Sequence, residues 1–140
     1  MSDDNLKLML MRHEGLKLSL YKDSVGIWTI GIGRNLEANG ISRDEAMLML
    51  DNDISKAKLG LSHTFPWYLS LDDVRQAVMV DMTFNMGIAG FAKFALTIDH
   101  IKRGDYLEAS KEMLKSAWSH QVGQRSYELS EMMRTGKCAQ

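Results

Sequence analysis

Four glycines, at positions 15, 26, 31 and 33, interrupt residues 14–34 so closely that no helix can run through the segment. Leu18-Ser19-Leu20-Tyr21 reads as a strand, Ser24-Val25-Gly26 as a turn, and Trp28-Thr29-Ile30-Gly31-Ile32-Gly33 resumes with aromatic and β-branched side chains. The pattern predicts a β-hairpin over 17–32 with its turn at 24–26. Just before it, Leu6, Met9, Leu10, His13 and Leu16 recur at near-helical spacing. A helix is therefore expected there, with Asp3 or Asp4 as its N-cap and Gly15 as its end.

Downstream the periodicity turns helical. Ser42 followed three residues later by Glu45 is the capping-box pattern, and it predicts one helix from Ser42 to about Leu61. Ala46, Leu50, Ile54 and Ala57 supply its apolar face, and Gly60 is expected to help end it. Residues 72–86, 95–103, 105–116 and 121–133 read as further helices, punctuated by Gly87, Gly90, Gly104 and Gly123. Met79, Met82 and Met86 share one helical face and are expected to fill a core rather than line a binding surface. The fold class expected is α+β, mainly α.

A chain of 140 residues is one domain's worth and long enough for a real core. With 45% hydrophobic and 25% charged residues it matches an ordinary globular chain, not a disordered or fibrous one. A net charge of −1 gives no basic footprint for nucleic acid. Residues 1–90 carry nine basic and twelve acidic side chains and residues 91–140 eight and six, a split read as solvated helix surface. The single Cys138 cannot form an internal disulfide, and its place in a Lys-Cys-Ala-Gln tail argues against nucleophilic catalysis.

His13, His63, His100 and His120 lack metal-ligand spacing, so no metal is expected. Gly31-x-Gly33 lacks the third glycine of a dinucleotide fingerprint and no P-loop is present, so no cofactor is expected either. A strand packed closely against the preceding helix accounts better for these glycines. The acidic start Met-Ser-Asp-Asp-Asn does not read as a signal peptide, and no apolar run is long enough to span a membrane.

The chemistry concentrates in the hairpin. Glycoside hydrolysis requires two carboxyl groups in unlike surroundings, one protonated to donate to the leaving oxygen and one ionised. Glu14 stands among Leu10, Met11, Leu16 and Leu18, where partial burial would raise its pKa, whereas Asp23 stands beside Lys22 and Ser24 in a polar turn. Thr29 supplies a hydroxyl that can hold an attacking water.

The run E-G-L-x-L-x-x-Y-x-D-x-x-G-x-x-T-I-G-I-G over residues 14–33 resembles the phage-type lysozyme family, the muramidases and endolysins. The resemblance continues through Arg43-Asp44-Glu45-Ala46, Leu71-Asp72-Asp73-Val74-Arg75-Gln76-Ala77, Phe84-Asn85-Met86-Gly87, Trp118, Gln121, Arg125 and Arg134-Thr135-Gly136, and spans roughly residues 6–137. It implies a two-lobed single domain over 1–140: a small β-containing lobe and bridging helix over about 14–58, with 1–13 and 59–140 forming a helical lobe. The implied reaction is hydrolysis of the β-1,4 bond between N-acetylmuramic acid and N-acetylglucosamine in peptidoglycan. Glu14 would be the general acid, Asp23 the second carboxyl and Thr29 the water-orienting group, with inversion at the anomeric carbon.

Arg34, Asp81, Asn85, Gln121 and Arg125 are implied as substrate contacts or supports, with Arg125 near Glu14. Some relatives carry about twenty more residues than the six between Arg34 and Ile41, so the β-lobe here is trimmed. Arg34 stands where histidine is common, and the family alignment implies an ion pair between Arg34 and Asp53. Asp81 stands where asparagine is common. The resemblance further implies a monomer acting on peptidoglycan, with no nucleic-acid partner and no stable membrane insertion. It would be held in the cytoplasm of a bacterial host until a holin gives access to the wall. Two other readings fit the same motifs: a glycan-binding or structural phage component without activity, and a hydrolase of another aminosugar polymer such as chitin.

Overall fold

The helix expected before Gly15 forms as α1, Asp3–Glu14, in a computed structural model that describes residues 1–138. Its N-cap is Ser2, one residue before the two aspartates expected to serve: the Ser2 hydroxyl accepts from the Asn5 N–H at 3.2 Å. Asp3 and Asp4 instead occupy the first turn and Arg12 and His13 the last, each sign where the helix dipole favours it. At Gly15 the backbone turns to φ 79°, ψ 167°, a region essentially confined to glycine, and the chain leaves the helix for the sheet.

The division of the chain into two compact units falls between Met49 and Leu50. The first unit holds α1 and an antiparallel sheet of β1 (Lys17–Lys22), β2 (Trp28–Gly31) and β3 (Arg34–Asn35) in sequential order. Lys22 pairs with Trp28 and Tyr21 with Thr29, and an irregularity follows toward the Lys17–Gly31 pair. A single turn, α2 (Leu36–Asn39), is capped by the Asn35 side chain, which accepts from the Ala38 N–H at 2.9 Å. This turn occupies the short connection between Arg34 and Ile41.

The expected capping box opens α3 (Arg43–Thr64). The Glu45 N–H donates to the Ser42 hydroxyl at 3.1 Å and the Ser42 N–H to the Glu45 carboxylate at 2.9 Å. Gly60 does not stop the helix, because Leu61, just beyond it, is fully buried.

The second unit is helical. After a 3-10 turn at Pro66–Ser70 come α4 (Asp73–Ala92), α5 (Ala95–Arg103), α6 (Tyr106–Lys115), α7 (Ala117–Val122) and α8 (Gln124–Thr135). The long prediction over 121–133 proves to be the end of α7 and most of α8, divided at Gly123, whose φ is 56°. Met79 and Met82 are completely buried, as their spacing predicted, and they pack with Tyr68, Phe91, Met113 and Met133 in one core. Arg75, near the start of α4, ties this unit together. Its Nε donates to the Met133 carbonyl at 2.7 Å, one Nη donates to the Arg134 carbonyl at 3.1 Å, and the guanidinium lies 3.6 Å above the Tyr106 ring.

Candidate active site

Glu14 is the last residue of α1, and the turn between β2 and β3 brings Gly33 against it. A β-carbon placed on Gly33 would lie 2.6 Å from Glu14 Oε2, 3.0 Å from its Cδ and 3.2 Å from its Cβ. The close packing expected of these glycines is therefore real at Gly33. It does not hold at Gly31, where nothing lies within 4 Å and the need for glycine is conformational, with φ at 73°. The partial burial expected for Glu14 is absent: the side chain is exposed, and so are Leu10, Leu16 and Leu18, the residues expected to shield it.

Asp23 builds the β1–β2 turn. Its Oδ1 accepts from the N–H groups of Val25 and Ile27, both at 2.9 Å, while its own N–H donates to the Ile27 carbonyl at 2.9 Å. That leaves Oδ2 without a hydrogen-bond partner among the described residues. Thr29 approaches the same residue from the strand, its hydroxyl donating to the Ile27 carbonyl at 2.8 Å. With its proton committed there, the Thr29 oxygen is free only to accept. Thr29 is also 3% exposed, so its hydroxyl is held by the surrounding sheet. Asp23 and Thr29 are thus brought onto Ile27 at one end of the hairpin, and Glu14 onto Gly33 at the other.

Arg34 is not paired with Asp53. Its two Nη atoms form a fork on Glu45, at 2.9 Å to Oε1 and 2.6 Å to Oε2, and one of them also donates to the Gly40 carbonyl at 3.1 Å. The reason is local. Glu45 is already fixed in the first turn of α3 by the capping box, whereas Asp53 lies eight residues, or about 12 Å, further along the helix. The Arg34 hydrogen bonds, and after them those from Ser42, hold the Glu45 carboxyl at a pKa of about 2.

In the second unit Arg125, expected beside Glu14, has Asp81 as its acid: Nε and Nη2 reach Asp81 Oδ1 at 2.7 and 2.6 Å. These two line a cleft of about 520 Å³ together with Tyr68, Gln76, Val80 and Phe84. Asn85 accepts from the Trp118 indole N–H at 2.8 Å, which orients its amide and couples α4 to α7. Gln121 is exposed on α7. Sequence reasoning named Glu45 as the capping-box acid but missed it as the partner of Arg34, and it missed Glu37, which accepts from the Trp28 N–H at 3.1 Å. Only the capping-box spacing of Glu45 signalled either residue.

The chain has a mainly helical α+β fold, with a glutamate closing the first helix, an aspartate in the β1–β2 turn and a threonine on β2, and its relatives make it a glycoside hydrolase of the lysozyme class. The phage lysozyme family model matches residues 11–134, and the chain belongs to that family. It is 29% identical to probable T4-type lysozyme 1 of Dictyostelium discoideum, with 94% of this chain and 95% of the relative aligned. The endolysin of Acyrthosiphon pisum secondary endosymbiont phage 1 is 29% identical over 80% of this chain and 75% of its own length. The pre-baseplate central spike protein Gp5 of Enterobacteria phage T4 is 28% identical over 96% of this chain, which corresponds to 29% of that larger protein.

Proposed function

We propose that this lysozyme cleaves the β-1,4 bond between N-acetylmuramic acid and N-acetylglucosamine in peptidoglycan, with Glu14 as general acid. One observation carries the reading: the small sheet whose β2–β3 turn seats Glu14 against Gly33 also holds Asp23 and Thr29 on Ile27. Glu14 gives a proton to the glycosidic oxygen as the bond to the anomeric carbon breaks. Water adds to that carbon and passes a proton to Asp23. Thr29, able only to accept, takes a hydrogen bond from the water and so turns a lone pair toward the reacting carbon. The product is expected with inverted configuration. Asp81, Asn85, Gln121 and Arg125 serve as contacts or supports for the glycan. The biological role proposed is host lysis by a monomer that stays in the bacterial cytoplasm until a holin opens the way to the wall.

Glu14→Gln keeps the side chain's shape but has no proton to donate, and it should abolish clearing of a purified peptidoglycan suspension while the circular dichroism stays unchanged. Mass spectrometry of the ends released by the native protein should find N-acetylmuramic acid at the new reducing end. Substantial lysis by Glu14→Gln would overturn the assignment of the acid, and N-acetylglucosamine at the new reducing end would overturn that of the bond.

A further inference from the structure

We infer that Gly33 is a positioning residue for Glu14: the missing side chain at 33 is the seat in which the acid's carboxyl rests. The inference depends on Glu14 being the general acid. Three atoms of the glutamate side chain are close to the position a β-carbon would take, Cβ at 3.2 Å, Cδ at 3.0 Å and Oε2 at 2.6 Å. Turning the carboxyl about its last bond leaves Cδ where it is and cannot clear an alanine, so the carboxyl group must move together with Cδ. Glu14 is exposed, so it can swing away into solvent with little cost to the fold. The displacement falls on the atom that donates the proton. A misplacement of about 1 Å at such an atom lowers turnover on the order of 100-fold.

Gly31 provides a matched control. It belongs to the same segment and has nearly the same backbone angle, φ 73° against 68° for Gly33, but a β-carbon there meets nothing within 4 Å. A positive φ strains alanine at either position, and only at 33 does its β-carbon also collide with the acid.

The test compares the native protein, Gly31→Ala, Gly33→Ala, Glu14→Gln and the Glu14→Gln/Gly33→Ala double variant on soluble peptidoglycan fragments, with melting temperatures in parallel. Both glycine variants should lose similar thermal stability. Gly33→Ala should lose about 100-fold in kcat with KM changed by less than about threefold, and Gly31→Ala should keep kcat within about threefold. In the Glu14→Gln background, Gly33→Ala should cost nothing further, because both changes act on one proton donor. Equal kcat in the two glycine variants, or a full additional loss in the double variant, would overturn the inference. A Gly33→Ala that fails to fold while Gly31→Ala folds would also refute the inference, because an exposed acid that swings aside costs the fold little. An inactive native protein or an active Glu14→Gln would count against the proposed function instead.

Discussion

Arg34 shows how a charge that looks free for substrate is taken up by architecture. Its fork on Glu45 joins β3 to the first turn of α3 within the first unit, and the same carboxylate completes the capping box with Ser42. Arginine stays ionised at every working pH, so the titration of this pair belongs to Glu45. Its folded value near 2 lies below the ordinary 4.5. Ionised Glu45 therefore adds stability that is fully present above about pH 4.5 and is lost as the pH falls through about 2. The melting temperature of the native protein should exceed that of Glu45→Gln at neutral pH, and the gap should close as the pH is lowered toward 2. A gap that stays constant across that range in a thermal scan followed by circular dichroism would reject the linkage. The capping box was readable because its partners stand three residues apart. The Arg34 partner was not, because it depends on where β3 meets α3, which no local spacing encodes. The same holds for Arg125 and Asp81, 44 positions apart.

Elements were legible wherever local chemistry and packing agree, as in α1, α5, the hairpin and the start of α3. They were misjudged where packing overrides a breaker. A β-carbon at Gly60 would only touch Ile88, at 3.5 Å, so α3 passes through that glycine to bury Leu61. Gly87 is the opposite case. The chain there takes φ 78°, ψ 162°, breaking α4 internally before helical structure resumes as far as Ala92, whereas the sequence suggested a helix ending at 86. Nothing lies within 4 Å of a β-carbon at Gly87, so alanine would meet backbone strain alone. Gly87→Ala should destabilise by about 1–3 kcal/mol in urea unfolding, and a change below about 0.5 kcal/mol would show that the break adapts to a side chain. The short α7 escaped detection because it is held by tertiary contacts, with the Trp118 ring buried and its N–H on Asn85.

At the scale of the whole molecule, burial is distributed unevenly. Every buried apolar side chain among the described residues lies between Ala57 and Met133, and the first unit buries only Thr29. Composition predicted a real core but gave no indication of where it would lie, apart from the spacing of Met79 and Met82. Residues 50–140 produced alone should unfold in one cooperative thermal transition, whereas residues 1–49 should show none, being short and without an apolar core of their own. A cooperative transition in the 1–49 fragment would contradict this. The core that the second unit does possess is rich in sulfur: Met79, Met82, Met113 and Met133 have no exposed surface, while Met1, Met47 and Met49 are exposed. Peroxide turns an accessible thioether into a polar sulfoxide, a group that a packed interior cannot house. The outer methionines therefore register the dose of oxidant. The inner four register each opening of the unit that shelters them, and once oxidised they prevent it from closing as before.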